Sequence, residues 1–363
     1  MTTKATSSIF LIALLISLTA CEADGVSPPV GEKIDATLAS QVTWDLSDGS
    51  EYPSGRVLSR AEDGVMFGDG SLVVADQRYG LVKVPAGGSV EQFGDFKSVG
   101  YRHDPPETEA APNGVHLTPD GLHILTADVF TGHIYRTSVT TGNTELAYSH
   151  PYGVNTAIED STGAIWFTQS TKNRNGNRLF KALQEPIPDG ALYRLPPAPD
   201  ESNREAELIL DNLNFANGFY LDETANKIYL AETMAHRILA FDLSVSSGSV
   251  SNQKVLGTVP TPDNMRMYHD GSLWVASPLS NQILSFDPNS GESAVVFDAH
   301  TSKGAQLVEA GVKGRVADQI GPDLIGGMPG LLTGIIIGAP GQPFYVSNLG
   351  DALVRVEKYV SGR

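Results

Sequence analysis

Six times along this chain the same short pattern returns: a polar head, an apolar run, a Gly/Asp/Pro turn, a second apolar run, a gap and a third run. Glu62-Asp63-Gly64 leads VMFGDGSLVVAD and then LVKV. Pro112-Asn113-Gly114 leads VHLTPDGLHILTAD and then HIYRT. Val154-Asn155 leads TAIEDSTGAIWFTQ and, after a long insertion, ALYRL. Ala216-Asn217-Gly218 leads FYLDETANKIYLAE and then RILAF. Pro262-Asp263-Asn264 leads MRMYHDGSLWVAS and then QILSFD, and Thr333-Gly334 leads IIIGAPGQPFYVSN and then LVRVE. Heads at 62, 113, 155, 217, 263 and 333 are separated by 51, 42, 62, 46 and 70 residues. Such spacings fit four-stranded propeller blades with loops of variable length.

The chain therefore reads as an all-β protein, a six-bladed β-propeller. Its 363 residues include 37 Gly and 22 Pro and show no long helical periodicity. The innermost strand of each blade lines the channel, so six heads converge on one axis. An asparagine at a head supplies an inward oxygen, and a following Gly lets backbones crowd at the axis. Blade closure is expected to use a strand around Ala36 to Trp44. Two inserts interrupt the repeat: residues 172 to 190, polar and on a blade-three loop, and residues 300 to 330, with a short helix and a Gly/Pro run. Leu331 to Ile337 is short and Pro/Gly-bounded, so it reads as a buried strand and not a membrane span.

The N-terminus reads as a targeting segment. Lys4 precedes an apolar stretch, Ile9 to Leu18, too short to span a bilayer. Leu18-Thr19-Ala20-Cys21 resembles a bacterial lipobox, and Cys21 is the only cysteine. A lone thiol in an exported chain is accounted for by lipidation. The expected organisation is a lipoprotein signal peptide over 1–20, a tether over 21–33 and the propeller over 34–363. An exported lipoprotein follows, on the periplasmic face and at the outer membrane of a Gram-negative host, because Glu22 and not Asp follows the cysteine. Its only membrane contact would be the lipid anchor. Mass spectrometry of the N-terminal peptide should find a diacylated or triacylated Cys21, and Cys21→Ala should release the protein from membranes, since each buried CH₂ of an anchor contributes about 0.8 kcal/mol. An unmodified Cys21 would refute this. The net charge of −17 shows no basic stripe and argues against a nucleic-acid partner.

The chemistry sits at the heads. Glu62, Asn113, Asn155, Asn217 and Asp263, with Asn264 beside it, offer carboxylate and amide oxygens without cysteine or histidine. Hard oxygen ligands suit Ca²⁺, whereas Zn²⁺ selects imidazole or thiolate. A buried Glu62–Asp263 pair without a cation would suffer repulsion and desolvation. Single Asn or Asp residues at strand starts commonly cap turns, but five at matching places in consecutive units point to a shared site.

These motifs are similar to those of the six-bladed calcium-dependent propellers: gluconolactonase/regucalcin-like proteins, paraoxonases, diisopropylfluorophosphatases and strictosidine synthase-like proteins. ANGFYLDETANKIYLAETMAHRI resembles a strictosidine synthase-like and gluconolactonase blade, and TPDNMRMYHDGSLWVAS resembles the PDN…DG..WVA blade of the same group. The resemblance implies that Glu62, Asn155, Asn217 and Asp263 hold the calcium, that Asn264 matches the second residue of a paraoxonase Asp-Asn pair, and that Asn113 lies where a substrate-contacting or metal-near residue is found. It further implies a calcium-dependent hydrolase of a lactone or ester, with Asp263 as ligand and general base and with Asn113 and Asn155 orienting the substrate oxygen. Gln169, Asp128 and Met234 follow second strands and are expected at the pocket rim. The chain departs from the paraoxonases: Asn113 stands for their blade-two histidine and Asp128 for their second. His116 falls in a first strand, His133 near a third, and His236 on a blade-four loop, where structural roles are the simpler reading. No strictosidine synthase glutamate can be placed, which argues against a condensation, and no G-x-S-x-G is present. The alternatives are a scaffolding propeller plugged by structural calcium, or a strictosidine synthase-like protein without the condensation activity. A monomer or dimer acting on a small molecule is expected in any of these cases.

Overall fold

The structure is a computed structural model that describes residues 43–357, apart from 88, 174–178, 180, 198–203 and 312–315. The stretches expected as signal segment and tether, and Cys21, lie outside the described residues. Six antiparallel sheets are arranged as blades. From the axis outward, blade one runs Gly64–Met66, Leu72–Asp76, Gly80–Val84 and Glu91–Phe93, and blade two runs Pro112–Leu117, His123–Asp128, His133–Ser138 and Thr144–Ser149. Blade three is Val154–Glu159, Ile165–Gln169, Gly190–Leu195 and Glu207–Leu213, and blade four is Ala216–Asp222, Lys227–Glu232, Arg237–Ser244 and Ser249–Thr258. Blade five comprises Met265–Met267, Leu273–Ser277, Gln282–Phe286 and Ser293–Asp298; blade six comprises Leu332–Ile337, Phe344–Asn348, Leu353–Val356 and Gly49–Tyr52.

Every sequence repeat is thus one blade. The hairpin turns explain why the repeats carry an aspartate between their first two runs. Asp69, Asp120, Asp160 and Asp270 each accept the N–H of the residue two positions on, at 2.8–2.9 Å. That side chain closes the turn locally. Second strands are buried along their length, so they read as apolar runs, whereas outer strands such as Glu207–Leu213 are largely open to solvent.

Closure differs from the expectation. The strand that completes blade six is Gly49–Tyr52, paired antiparallel with Leu353–Val356. Trp44 and Asp45 instead run parallel to Phe297 and Asp298 on the outer edge of blade five, and residues 36–42 lie outside the described residues. The physical reason is packing. Trp44 buries its ring against Trp274 and Phe344, with centroids 6.2 and 5.1 Å away, which holds it in the seam between blades five and six. Ser47 N–H and an acidic cap at Asp45 then turn the chain into the closing strand.

Leu332–Ile337 is the buried innermost strand of blade six. Among the described residues no helix is long and apolar enough to cross a membrane. Among its described residues the second insert carries two α-helices, α1 (Ser302–Glu309) and α2 (Pro322–Ile325). Thr301 caps α1 by accepting the Gly304 N–H at 3.0 Å.

Candidate functional site

At each head the chain must turn a polar side chain into the channel while its strand stays in the ladder. In four blades the pairing register slips there: between Pro112 and Val115, Val154 and Ala157, Ala216 and Phe219, and Leu332 and Gly334. A bulge of this kind bends the strand and re-aims a side chain. Glycine after the head permits the crowding that results. A Cβ on Gly218 would stand 2.7 Å from Asn264 Cα, and one on Gly114 would stand 2.9 Å from Thr156 Cα. Adjacent blades therefore touch through backbone at the axis.

A second device precedes three heads. Arg60, Phe215 and Thr261 have left-handed backbones, with φ of 55°, 62° and 49°. Each lies two residues before a head, at Glu62, Asn217 and Asp263 respectively, and each lines the cavity above. Non-glycine residues hold such φ values only where the surroundings over-determine them, and they gather at functional sites.

The heads converge as expected. Glu62, Asn113, Asn155, Asn217 and Asp263 all line one cavity of about 130 Å³. Each of the five is 9% exposed or less. Asn264 donates from Nδ2 to Glu62 Oε1 at 3.0 Å. Three buried oxygens in this group have no protein partner: Glu62 Oε2, Asp263 Oδ1 and Asn264 Oδ1. The Asn217 Oδ1 accepts the Gly218 N–H at 2.9 Å and Asn155 Oδ1 accepts the Thr156 hydroxyl at 3.1 Å, so each retains a lone pair. Asn113 is more fully engaged, accepting from Arg60 Nη2 at 2.7 Å and donating to the Asn155 carbonyl at 3.3 Å.

Burial pushes the Asp263 carboxyl up to about 8, against the pull of the Arg60 charge and of a hydrogen bond from Asn217. Burial and the facing charge of Asp263 push Glu62 well above the usual carboxylate range, again against Arg60. The floor of the cavity is therefore a buried acidic pair with the Arg60 guanidinium beside it. Orphaned buried oxygens are costly unless something satisfies them. Two carboxylates with surrounding amide oxygens fit a hard divalent cation. Among the described residues no three His, Cys, Asp or Glu side chains gather at metal-binding distance, so a cation here would depend on the amides as well.

Other expected rim residues do not line the cavity. Asp128 accepts the backbone N–H groups of Ala111, Phe130 and Thr131 at 2.8–3.0 Å. Asp76 and Glu232 do the same for Ser59 and Asn214; all three end second strands and anchor the loop that enters their own blade's head. Gln169 bonds His150 and the Asp189 carbonyl, and Met234 packs in the apolar cluster beside the cavity. None of the three histidines lines the cavity either. His116 is buried in the channel near Arg266, His133 bonds the Tyr135 hydroxyl at 2.9 Å, and His236 accepts the Thr261 N–H at 3.0 Å.

The cavity roof is the part the sequence concealed. The insert expected as a polar loop carries Leu179, Ala182 and Leu183, which join Val316, Ile320 and Leu324 of the second insert in one apolar cluster. The two inserts are pinned together by Ala317 N–H to the Leu183 carbonyl at 3.1 Å and by Gln184 Nε2 to Asp318 at 2.9 Å. Arg60 was also missed; its only signal is its place two residues before a head.

Comparison with known proteins agrees with this architecture. Residues 148–303 match the family model described as SMP-30/Gluconolactonase/LRE-like region. Protein STRICTOSIDINE SYNTHASE-LIKE 7 of Arabidopsis thaliana is 25% identical over 281 residues, covering 74% of this chain and 71% of that protein. Regucalcin of Danio rerio is 27% identical over 114 residues, 30% of this chain and 37% of the relative. Among solved structures, a gluconolactonase from Xanthomonas campestris superposes with a TM-score of 0.58 at 18% identity, over 88% of this chain and 91% of that one. A luciferin-regenerating enzyme gives a TM-score of 0.57 at 16% identity, over 86% of this chain and 96% of that one. Blade count, head residues and these likenesses agree: the chain is a six-bladed β-propeller similar to the SMP-30/gluconolactonase-like, regucalcin and strictosidine synthase-like proteins.

Proposed function

We propose that this protein is a calcium-dependent hydrolase of a lactone or ester, exported as a lipoprotein. The observation that supports it most is the set of three partnerless buried oxygens, on Glu62 and Asp263 at the polar floor of the cavity and on Asn264, which is bonded to Glu62. Glu62, Asn155, Asn217, Asp263 and Asn264 would hold the ion. Calcium bound there supplies Lewis acidity that polarises a carbonyl and offsets oxyanion charge.

The remaining work falls to the chain. Asp263 Oδ1, free of protein partners, takes a proton from the water that adds to the carbonyl carbon. When the bond to the ring or alkoxy oxygen breaks, that proton passes to the leaving oxygen. Asn217 and the Asn264 backbone hold Asp263 in place. Arg60, fixed by the Pro112 carbonyl at 2.6 Å and by Asn113, keeps a positive charge beside the acidic pair. Asn113 and Asn155 stand where they can orient the substrate oxygen, and the roof excludes bulk water.

A panel of lactones and aryl esters tests this reading. Hydrolysis should vanish on chelation and return with added calcium; a panel left untouched in excess calcium, or turnover indifferent to chelator, would reject it. Stability supplies a second readout. The folded state raises the pKa of Asp263 and Glu62, so it favours their protonated forms. In chelator, stability should fall as pH rises from about 4, where such a carboxyl titrates in the unfolded chain, toward about 8 for Asp263. Calcium binds the ionised form, so the melting temperature it restores should grow over that same pH window.

A further inference from the structure

We infer that the cavity accepts a carbonyl substrate bearing a compact alkyl or aromatic group and rejects polyhydroxylated sugar lactones. This rests on the hydrolase reading for its chemistry, but its argument is one of walls and hydrogen bonds. Above the polar floor the cavity is lined by Leu179, Leu183, Phe215, Val316, Ile320 and Leu324. Five of these six come from the two inserts, so the repeat itself does not dictate the lining. The seam at Leu183–Ala317 and Gln184–Asp318 holds both apolar faces toward the floor.

Two of the three threonine hydroxyls that reach the cavity are already spent as donors. Thr233 donates to the Pro262 carbonyl at 2.7 Å, and Thr333 donates to the Glu62 carbonyl at 2.9 Å. Thr261 accepts the Leu279 N–H at 3.0 Å. Arg60 donates to Pro112 and Asn113. A sugar lactone would bring several hydroxyls into this space, and most would meet leucine, isoleucine or valine. Each hydroxyl buried without a partner should lower affinity roughly tenfold to a hundredfold. An alkyl group in the same place loses nothing and gains roughly fourfold per buried methylene.

The test uses the calcium-loaded full chain with δ-valerolactone, δ-octanolactone, δ-decanolactone and δ-gluconolactone. kcat/KM is measured for each, and Kd is measured by calorimetry for the matching δ-lactams, whose affinity needs no turnover. Both should climb with the alkyl group, and the sugar compounds should be weakest by at least a hundredfold. Leu183→Gln and Ile320→Gln should flatten the climb about tenfold at unchanged melting temperature, with Leu183→Met restoring it. Sugar compounds turned over or bound as well as δ-decanolactone and its lactam, or a climb unaffected by both roof substitutions, would overturn the inference. If no lactone is hydrolysed while lactam affinity still rises with alkyl length, the hydrolase reading fails and the apolar site stands.

Discussion

Asp263→Asn should leave the propeller folded and cut turnover by about 10²–10⁴-fold on whichever lactone or ester proves to be hydrolysed. The exchange is nearly isosteric, and an amide oxygen can still face a cation. It cannot take a proton from water. Fold and chemistry are separable here, because Asp263 is a stability liability in the cation-free protein: its buried carboxyl is pushed up to about 8. The variant should therefore melt no lower than the parent in chelator at pH 8, while losing its rate in saturating calcium. Asn217→Asp should behave differently, adding charge and tightening calcium without removing the base. Near-native turnover by Asp263→Asn in saturating calcium would make Asp263 a ligand only. Glu62 would then be the remaining carboxylate in the cavity, since Asp128 spends its oxygens on three backbone amides outside it.

The largest effect on stability is expected one residue from the site. Asp63 neighbours Glu62 in sequence but faces the channel below. Its Oδ1 and Oδ2 accept from Arg266 Nη2 of blade five at 2.9 and 2.7 Å, and Oδ2 also accepts the Val115 N–H of blade two at 2.8 Å. Arg266 in turn donates to the Val115 carbonyl at 3.2 Å. One carboxylate thus ties three blades across the axis. Asp63→Ala strands a guanidinium whose side chain is 17% exposed, and it orphans a buried amide. Breaking one side of such a pair costs about 3–5 kcal/mol, which for a chain of this size lowers the melting temperature by roughly 5–15 °C. Asp63→Leu combined with Arg266→Met should recover most of that loss, because the penalty is the uncompensated charge rather than the missing attraction. Denaturant melts of the two single variants and the double variant decide it. A single-variant loss under about 1 kcal/mol would mean that water reaches Arg266.

The six-blade fold and the converging heads were legible in the sequence because both are periodic. A blade needs the same turn chemistry at the same place each time, so Asp69, Asp120, Asp160 and Asp270 recur with it. An axis shared by every repeat puts residues of like register together, whatever the loop lengths between them, and so Glu62 and Asp263 could be paired across about 200 residues. What broke the period was not legible. The closing strand is Gly49–Tyr52 because Trp44 is held in an aromatic seam formed by Trp274 and Phe344, residues distant in sequence. Asp128 resembled a site residue by position, yet its strand end directs it to its own loop. Arg60, Phe215 and Thr261 reach the cavity through left-handed backbone that no residue type announces. The roof joins two inserts more than 100 residues apart, whose apolar side chains are diluted by polar neighbours along the chain. Local periodicity determined the scaffold and the polar floor; long-range packing alone decided what covers them.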